Sequence, residues 1–170
     1  MIEGMSTRHI VIRPADRTDL PALNRLIRSS YEAYGPPFYA ARTLAGAIDA
    51  VMRATPAIIA SGRFYVAEDD RRVLGCGGWG GTPLLNGAAD LRQVATAPSA
   101  AGRGVGAAIV AHCEAEAAFA GARDFDCVST LIAEGFYARL GFRHLRFTSL
   151  TVAGQPFAAV LMRKRLTPQG

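Results

Sequence analysis

The stretch that decides the fold is VATAPSAAGRGVGAAIV, residues 94–110. Its opening residues complete a run, LRQVATA at 91–97, that reads as a strand closed by Pro98. Beyond Gly104 the residues Val105, Ile109, Cys113 and Ala117 share one stripe, which predicts a helix over 104–120. Between strand and helix lie Gly102, Gly104 and Gly106, which let a backbone turn tightly and approach a ligand closely. The first N–H groups of a helix have no internal partner and sit at the positive end of its dipole. Together these features make a pyrophosphate site, with Arg103 adding a formal charge. The same glycines would also serve a plain strand-to-helix turn. A dinucleotide fingerprint fits Gly102, Gly104 and Ala107, but the loop comes too late in the chain for further βαβ units, and no acid closes the next strand. A Walker A loop is excluded, since no GK[ST] follows.

Working outward, residues 9–13 alternate as a strand that Pro14 ends. Thr18 or Asp19 caps a helix carrying Leu23, Leu26 and Ile27, stopped by Gly35-Pro36-Pro37. A second helix is expected over 43–53. Strands over 64–68 and 73–79 form a hairpin, and a Gly-containing loop covers 80–89. After the long helix come a strand at 126–130, a short helix at 133–140 capped by Gly141, and a hairpin of 145–152 with 157–165. The order β-α-α-β-β-β-α-β-α-β-β predicts a single α+β domain over 7–166, a mixed, mostly antiparallel sheet flanked by helices. Residues 1–6 are read as a leader. One parallel crossover joins the strand at 91–97 to that at 126–130.

The 170 residues suit one domain, and 50% apolar residues supply a core without crosslinks. The net charge of +5 is almost wholly arginine, Lys164 being the single lysine. Arginine suits an anionic ligand. The arginines are scattered, with no basic run interleaved with aromatics, so nucleic acid is not expected. Cys76, Cys113 and Cys127 show no paired spacing, no metal-ligand cluster appears, and a reducing compartment, the cytoplasm, follows. No apolar run is long enough to cross a membrane.

A second segment, TLIAEGFYARLGF at 130–142, stands at a telling distance from the first. Its AxxFYxxxGF pattern is carried by Ala133, Phe136, Tyr137, Gly141 and Phe142. The two segments together resemble the cofactor-binding half of the GNAT superfamily of N-acetyltransferases, and the element order is similar across nearly the whole chain. The resemblance implies an acetyl-CoA-dependent transferase acting on a primary amine of a small molecule, peptide or protein. It places acetyl-CoA between the strands at 91–97 and 126–130, its pantetheine arm on Val94, Ala95 and Thr96, and its pyrophosphate on Gly102, Arg103, Gly104, Val105, Gly106 and Ala107. Thr130 stands where the family usually has Asn. Tyr137 stands where many members protonate the departing thiolate. The loop opens with Ala101, where the family usually has Arg or Gln. A homodimer is common in the family. The rival reading is a non-catalytic acyl-CoA-binding sensor or interaction module.

Acyl transfer to an amine needs a proton taken from the nucleophile and one given to the leaving sulfur. Tyr137 O–H can donate, although a tyrosine beside Phe136 can also simply pack. For the base, Asp90 lies just before the cofactor strand, with Glu68 and Glu32 as other candidates. His112 and His144 read as non-catalytic. Tyr31, Tyr34, Phe38 and Tyr39 form an aromatic group that either borders the acceptor pocket or packs.

Overall fold

The structure, a computed structural model, describes residues 9–70, 72–81 and 87–168. The leader expected over 1–6 lies outside them, as does the middle of the loop expected over 80–89. Seven strands form one sheet in the order β1-β2-β3-β4-β5-β7-β6. They are β1 (Val11–Pro14), β2 (Phe64–Asp69), β3 (Arg72–Gly80), β4 (Ala88–Thr96), β5 (Asp124–Thr130), β6 (Arg143–Val152) and β7 (Gln155–Arg165). Every neighbouring pair is antiparallel except β4 and β5. The mixed sheet and its single parallel crossover are thus as the sequence predicts.

Among the described residues five helices accompany the sheet: α1 (Leu20–Tyr34), α2 (Ala41–Ala50), α3 (Pro56–Ala60), α4 (Val105–Phe119) and α5 (Glu134–Arg139). The α4 stripe of Val105, Ile109, Cys113 and Ala117 is buried against Phe125, Cys127, Val160 and Met162. On the opposite face α1 buries Leu23, Leu26 and Ile27 against Phe64, Val66 and Cys76. A leucine or isoleucine removed from water this way contributes about 1.5–3 kcal/mol. Leu44, Ala47 and Ile48 of α2 pack with Tyr39, Val152 and Phe157.

Three local expectations need correction. Pro14 is the last paired residue of β1, opposite Tyr65, so it does not fall outside the strand. The α1 start is not capped by Thr18 or Asp19. Asp16 accepts from Thr18 N at 2.7 Å, and Asp19 turns back to accept from Asp16 N at 2.8 Å, around a short 3-10 turn. The Asp19 carboxylate also receives both terminal nitrogens of Arg13, at 2.8 and 2.9 Å, which hold it below the usual carboxylate range. Helix α3 is additional; Thr55 caps it, accepting from Ile58 N, and Pro56 occupies its first position, where its missing N–H costs nothing.

Strand β3 is rich in glycine for a packing reason. A Cβ on Gly75 would lie 2.6 Å from Val105 Cγ1. One on Gly77 would lie 2.7 Å from Ile109 Cγ2 and 2.9 Å from Val94 Cγ2. The bare backbone lets α4 settle directly on the sheet beside β4. Gly77→Ala is therefore expected to destabilise the fold by about 1–3 kcal/mol through overpacking. Chemical denaturation checks this, and an unshifted midpoint would show that α4 and β4 move aside freely.

Candidate active site

The site begins where two strands part. Strands β4 and β5 pair from Ala88↔Asp124 to Leu91↔Cys127 and no further, while β5 stays paired with β7 as far as Thr130↔Ala159. On its other side β4 carries a bulge. Cys76 faces Ala95 and Gly78 faces Arg92, so Gly77 stands opposite both Gln93 and Val94. Gln93 takes φ of +49°, a left-handed conformation that side chains disfavour. A bulge bends its strand, and this one turns β4 away from β5 immediately after their last pair.

The opened wedge is a crevice of about 640 Å³. Val94, Ala95 and Thr96 line one wall, and Thr130 and Phe136 line the other. Its end is made by Gly102, Gly104, Val105, Gly106 and Ala107, the turn and first residues of α4. Gly102 and Gly104 hold φ of +76° and +77°, and a Cβ at either would meet open space, so backbone conformation is what requires glycine there. Gly106 has a different reason: a Cβ would meet the Phe136 ring at 3.0 Å. The structure thus brings nine of the ten residues assigned to acetyl-CoA to one cavity.

Arg103 is the tenth, and its side chain is used elsewhere. Its Nη2 donates to Asp69 Oδ2 at 2.8 Å, which ties the turn to the end of β2. The cation in the crevice wall is instead Arg139, at the end of α5. The sequence reading passes over it, although a signal is there: Arg139 stands two residues after Tyr137 in the same motif. Ala101 also lines the crevice and contributes no polar side chain.

A second cavity, of about 1060 Å³, reaches the last β4–β5 pair, Leu91 and Cys127. It is an open basin lined by Asp90, Arg92 and Gln93 of β4, Asp126, Cys127 and Val128 of β5, Leu161 of β7, and Arg63 and Trp79 at the rim. Asp90 and Asp126 are direct cross-strand neighbours. Like charges so placed repel, and each is met by its own guanidinium. Arg92 Nη2 lies 2.7 Å from Asp90 Oδ2, and Arg163 grips Asp126 with Nε at 2.6 Å and Nη2 at 2.8 Å.

Tyr137 is buried between Phe136 and Phe142, with ring centroids 5.0 and 5.5 Å away. The Cys127 thiol, on the last residue of β5 that pairs with β4, is its polar neighbour. Burial, and then the neighbouring Cys127 and Tyr31, push the phenol well above its ordinary value. Burial likewise pushes the Cys127 thiol up to about 12, so the pair holds its protons.

The remaining candidates are dispersed. Glu68 is paired with Arg13 at 3.0 Å, and Glu32 lies exposed beside Arg28, away from both the crevice and the basin. His112 packs edge-on to Tyr65 at 4.3 Å, and His144 pairs with Glu134 on the surface. Of the aromatic group, Tyr31, Tyr34 and Phe38 line the crevice. Tyr39 is structural. Its hydroxyl donates to Ala158 O at 2.7 Å and accepts from Leu131 N at 2.8 Å, fastening the end of β5 to the final hairpin. Among the described residues no group of His, Cys, Asp and Glu is placed to hold a metal ion.

Comparisons with known proteins agree with this geometry. Residues 60–144, half of the chain, match the family described as an acetyltransferase (GNAT) domain. A GCN5-related N-acetyltransferase from Rhodopseudomonas palustris superposes with a TM-score of 0.80 at 20% identity, over 96% of this chain and 100% of that one. The PaiA N-acetyltransferase of Thermoplasma acidophilum, solved with coenzyme A, gives 0.72 at 16% identity, over 92% and 99%. A GNAT family acetyltransferase from Brucella melitensis, solved with acetyl-CoA, gives 0.61 at 21% identity, over 96% and 92%. No curated protein matches the sequence. None of these findings favours a non-catalytic acyl-CoA module. The chain belongs to the GNAT family and is an acetyl-CoA-dependent N-acetyltransferase.

Proposed function

We propose that the crevice holds acetyl-CoA, that the basin receives the amine, and that transfer takes place where β4 and β5 part. The observation that supports this reading is that the basin reaches the Leu91↔Cys127 pair while the crevice is lined by the residues that follow it, Val94 to Thr96 on one strand and Thr130 on the other. Acetyl-CoA supplies the acetyl group already activated as a thioester. The residues fit its chemistry. The unpaired edge of β4 at Val94, Ala95 and Thr96 can bind an amide-bearing arm as a further strand would. The free N–H groups of Val105, Gly106 and Ala107 suit its phosphates, with Thr130 across the wedge. Arg139 supplies the formal charge on this wall, and the role expected of the Arg103 side chain passes to it.

Two proton positions follow. An alkylammonium ordinarily ionises near pH 10.4, so only about one amine in a thousand is neutral at pH 7. Asp90, in the basin beside the vertex, is the proposed base. Tyr137 Oη, which keeps its proton, is the proposed acid for the departing sulfur. The acceptor class extends to small molecules, peptides and proteins. The compartment is read as the cytoplasm, without nucleic-acid or membrane partners and with a homodimer as an open assembly. Among the described residues no helix is long and apolar enough to cross a membrane.

Arg139→Gln is expected to weaken coenzyme A binding about tenfold, the worth of one charge-assisted contact. Arg103→Gln should lower thermal stability more than affinity. Calorimetry and melting curves on both variants separate the two roles, and the opposite pattern would return the phosphate role to Arg103. Asp90→Asn should reduce kcat by about 10²-fold or more with coenzyme A affinity unaltered. An active Asp90→Asn enzyme would leave proton removal to water. Tyr137→Phe should likewise reduce kcat about 10²-fold. Because the phenol is raised, it stays protonated below its ordinary value of about 10. The wild-type rate should show no alkaline fall from this group up to that pH, and a fall that vanishes in Tyr137→Phe would contradict the raised value.

A further inference from the structure

The charges of the basin are unevenly matched. Asp90 and Asp126 each already hold a guanidinium, so neither is a vacant seat for a cationic acceptor. Arg63 is the converse. Its guanidinium lies over the Trp79 ring at 4.2 Å, and Nη1 donates to the carbonyl of Gly81 at 3.2 Å. No carboxylate among the described residues pairs with it, and it lines the basin. Stacking fixes the plane of the fork and leaves nitrogens on its free edge, an arrangement suited to a bidentate carboxylate.

A second group is unmatched on β4, with only β3 between it and the strand that Arg63 precedes. Gln93 Oε1 is buried with no hydrogen-bond partner, and Gln93 lines the basin at the bulge, where the strands part. A buried acceptor without a donor forfeits the hydrogen bond that water gave it in the unfolded chain. An amine N–H arriving at the vertex would satisfy it. On the far side of Gln93 from Arg63, on the next two strands of the sheet, the lining is apolar: Val128, which is 51% exposed, and Leu161.

We propose that the acceptor is an amino acid or a molecule of that chemistry, a primary amine and a carboxylate on an apolar body, with its carboxylate on Arg63 and its amine at Gln93. This rests on the reading of the basin as the amine site and narrows it. A polyamine fits poorly, because it would bring a second cation to the guanidinium that, among the described residues of the basin, lacks a counter-charge.

The test compares phenylalanine, its carboxamide and phenethylamine as acceptors, which differ only at the carboxylate. Each is assayed for acetyl transfer and, by calorimetry on the protein saturated with coenzyme A, for binding without turnover. Wild type should favour phenylalanine over the other two by about tenfold or more in kcat/KM and in affinity, the worth of one charge-assisted pair. Arg63→Gln should bring the three within about twofold of one another, and Arg63→Lys, which keeps the charge without the fork, should restore part of the difference. Because each ratio is internal to one protein, a partly unfolded variant does not mimic the effect. Equal use of all three by wild type, or an undiminished preference in Arg63→Gln, would overturn the proposal and leave the transferase reading standing. Carboxylate- and Arg63-dependent binding with no acetylation of any amine would do the reverse.

Discussion

The two proposed cavities depend on a backbone constraint, the left-handed turn of Gln93 inside β4. Holding a side-chain-bearing residue there costs of order 1 kcal/mol or more. The sheet sustains it from both sides. Cys76↔Ala95 and Gly78↔Arg92 pair above and below the bulge, and the Cys76 thiol reaches the Gln93 carbonyl at 3.7 Å. The return is geometric. A regular β4 would continue pairing with β5 past Leu91, and backbone groups that now face a crevice would be spent within the sheet. Strained positions concentrate where a fold needs an exposed polar edge in its interior, and here that edge lies between the crevice and the basin.

The glycines of β3 make the same point from the other side. A helix N-terminus is useful to an anion only if it reaches the opened edge. Val105 and Ile109 come that close because Gly75 and Gly77 offer no side chain against them. The ion pair from Arg103 to Asp69 then fixes the turn that leads into α4. Much of the chain's basic charge is committed in this structural way. Arg13, Arg28, Arg92, Arg103, Arg163, Lys164 and Arg165 all have acidic partners. A net charge of +5 therefore says little about polyanions, and the informative cations are the few that remain unmatched beside a cavity.

How much of this was legible in the sequence follows from which forces are local. The helix stripe of Val105, Ile109, Cys113 and Ala117, the turn glycines and the order of strands are set by periodicity and backbone freedom, and they were readable. The additional helix α3 was not, because five residues carry too little periodicity to separate from a loop. The ends of β4 and β5 extend beyond their apolar runs because Ala88↔Asp124 and Ala89↔Phe125 hold them, and pairing is not a local property. At the site, the turn that lines the crevice could be read because glycine marks it. Side-chain roles could not, since Arg103 and Arg139 are both arginines near a motif, and only tertiary contact reveals that Asp69 has taken the first.

The position of Tyr137 illustrates why burial matters more than proximity for the acid proposed at this site. A phenol in water would already donate at neutral pH, so lifting its ionisation adds no donor capacity by itself. What burial adds is a fixed hydroxyl. Phe136 and Phe142 hold the ring edge-on from two sides, and the Cys127 thiol, its own ionisation pushed up to about 12 by burial, is a neutral neighbour at the last β4–β5 pair. A hydroxyl held this way loses little orientational freedom when charge develops beside it, which is the condition under which a dipole stabilises a transition state most. In the resting protein the Cys127 thiol is the neighbouring sulfur. It is a weak partner, and its exchange for a thiolate, a stronger acceptor, is favourable on charge alone.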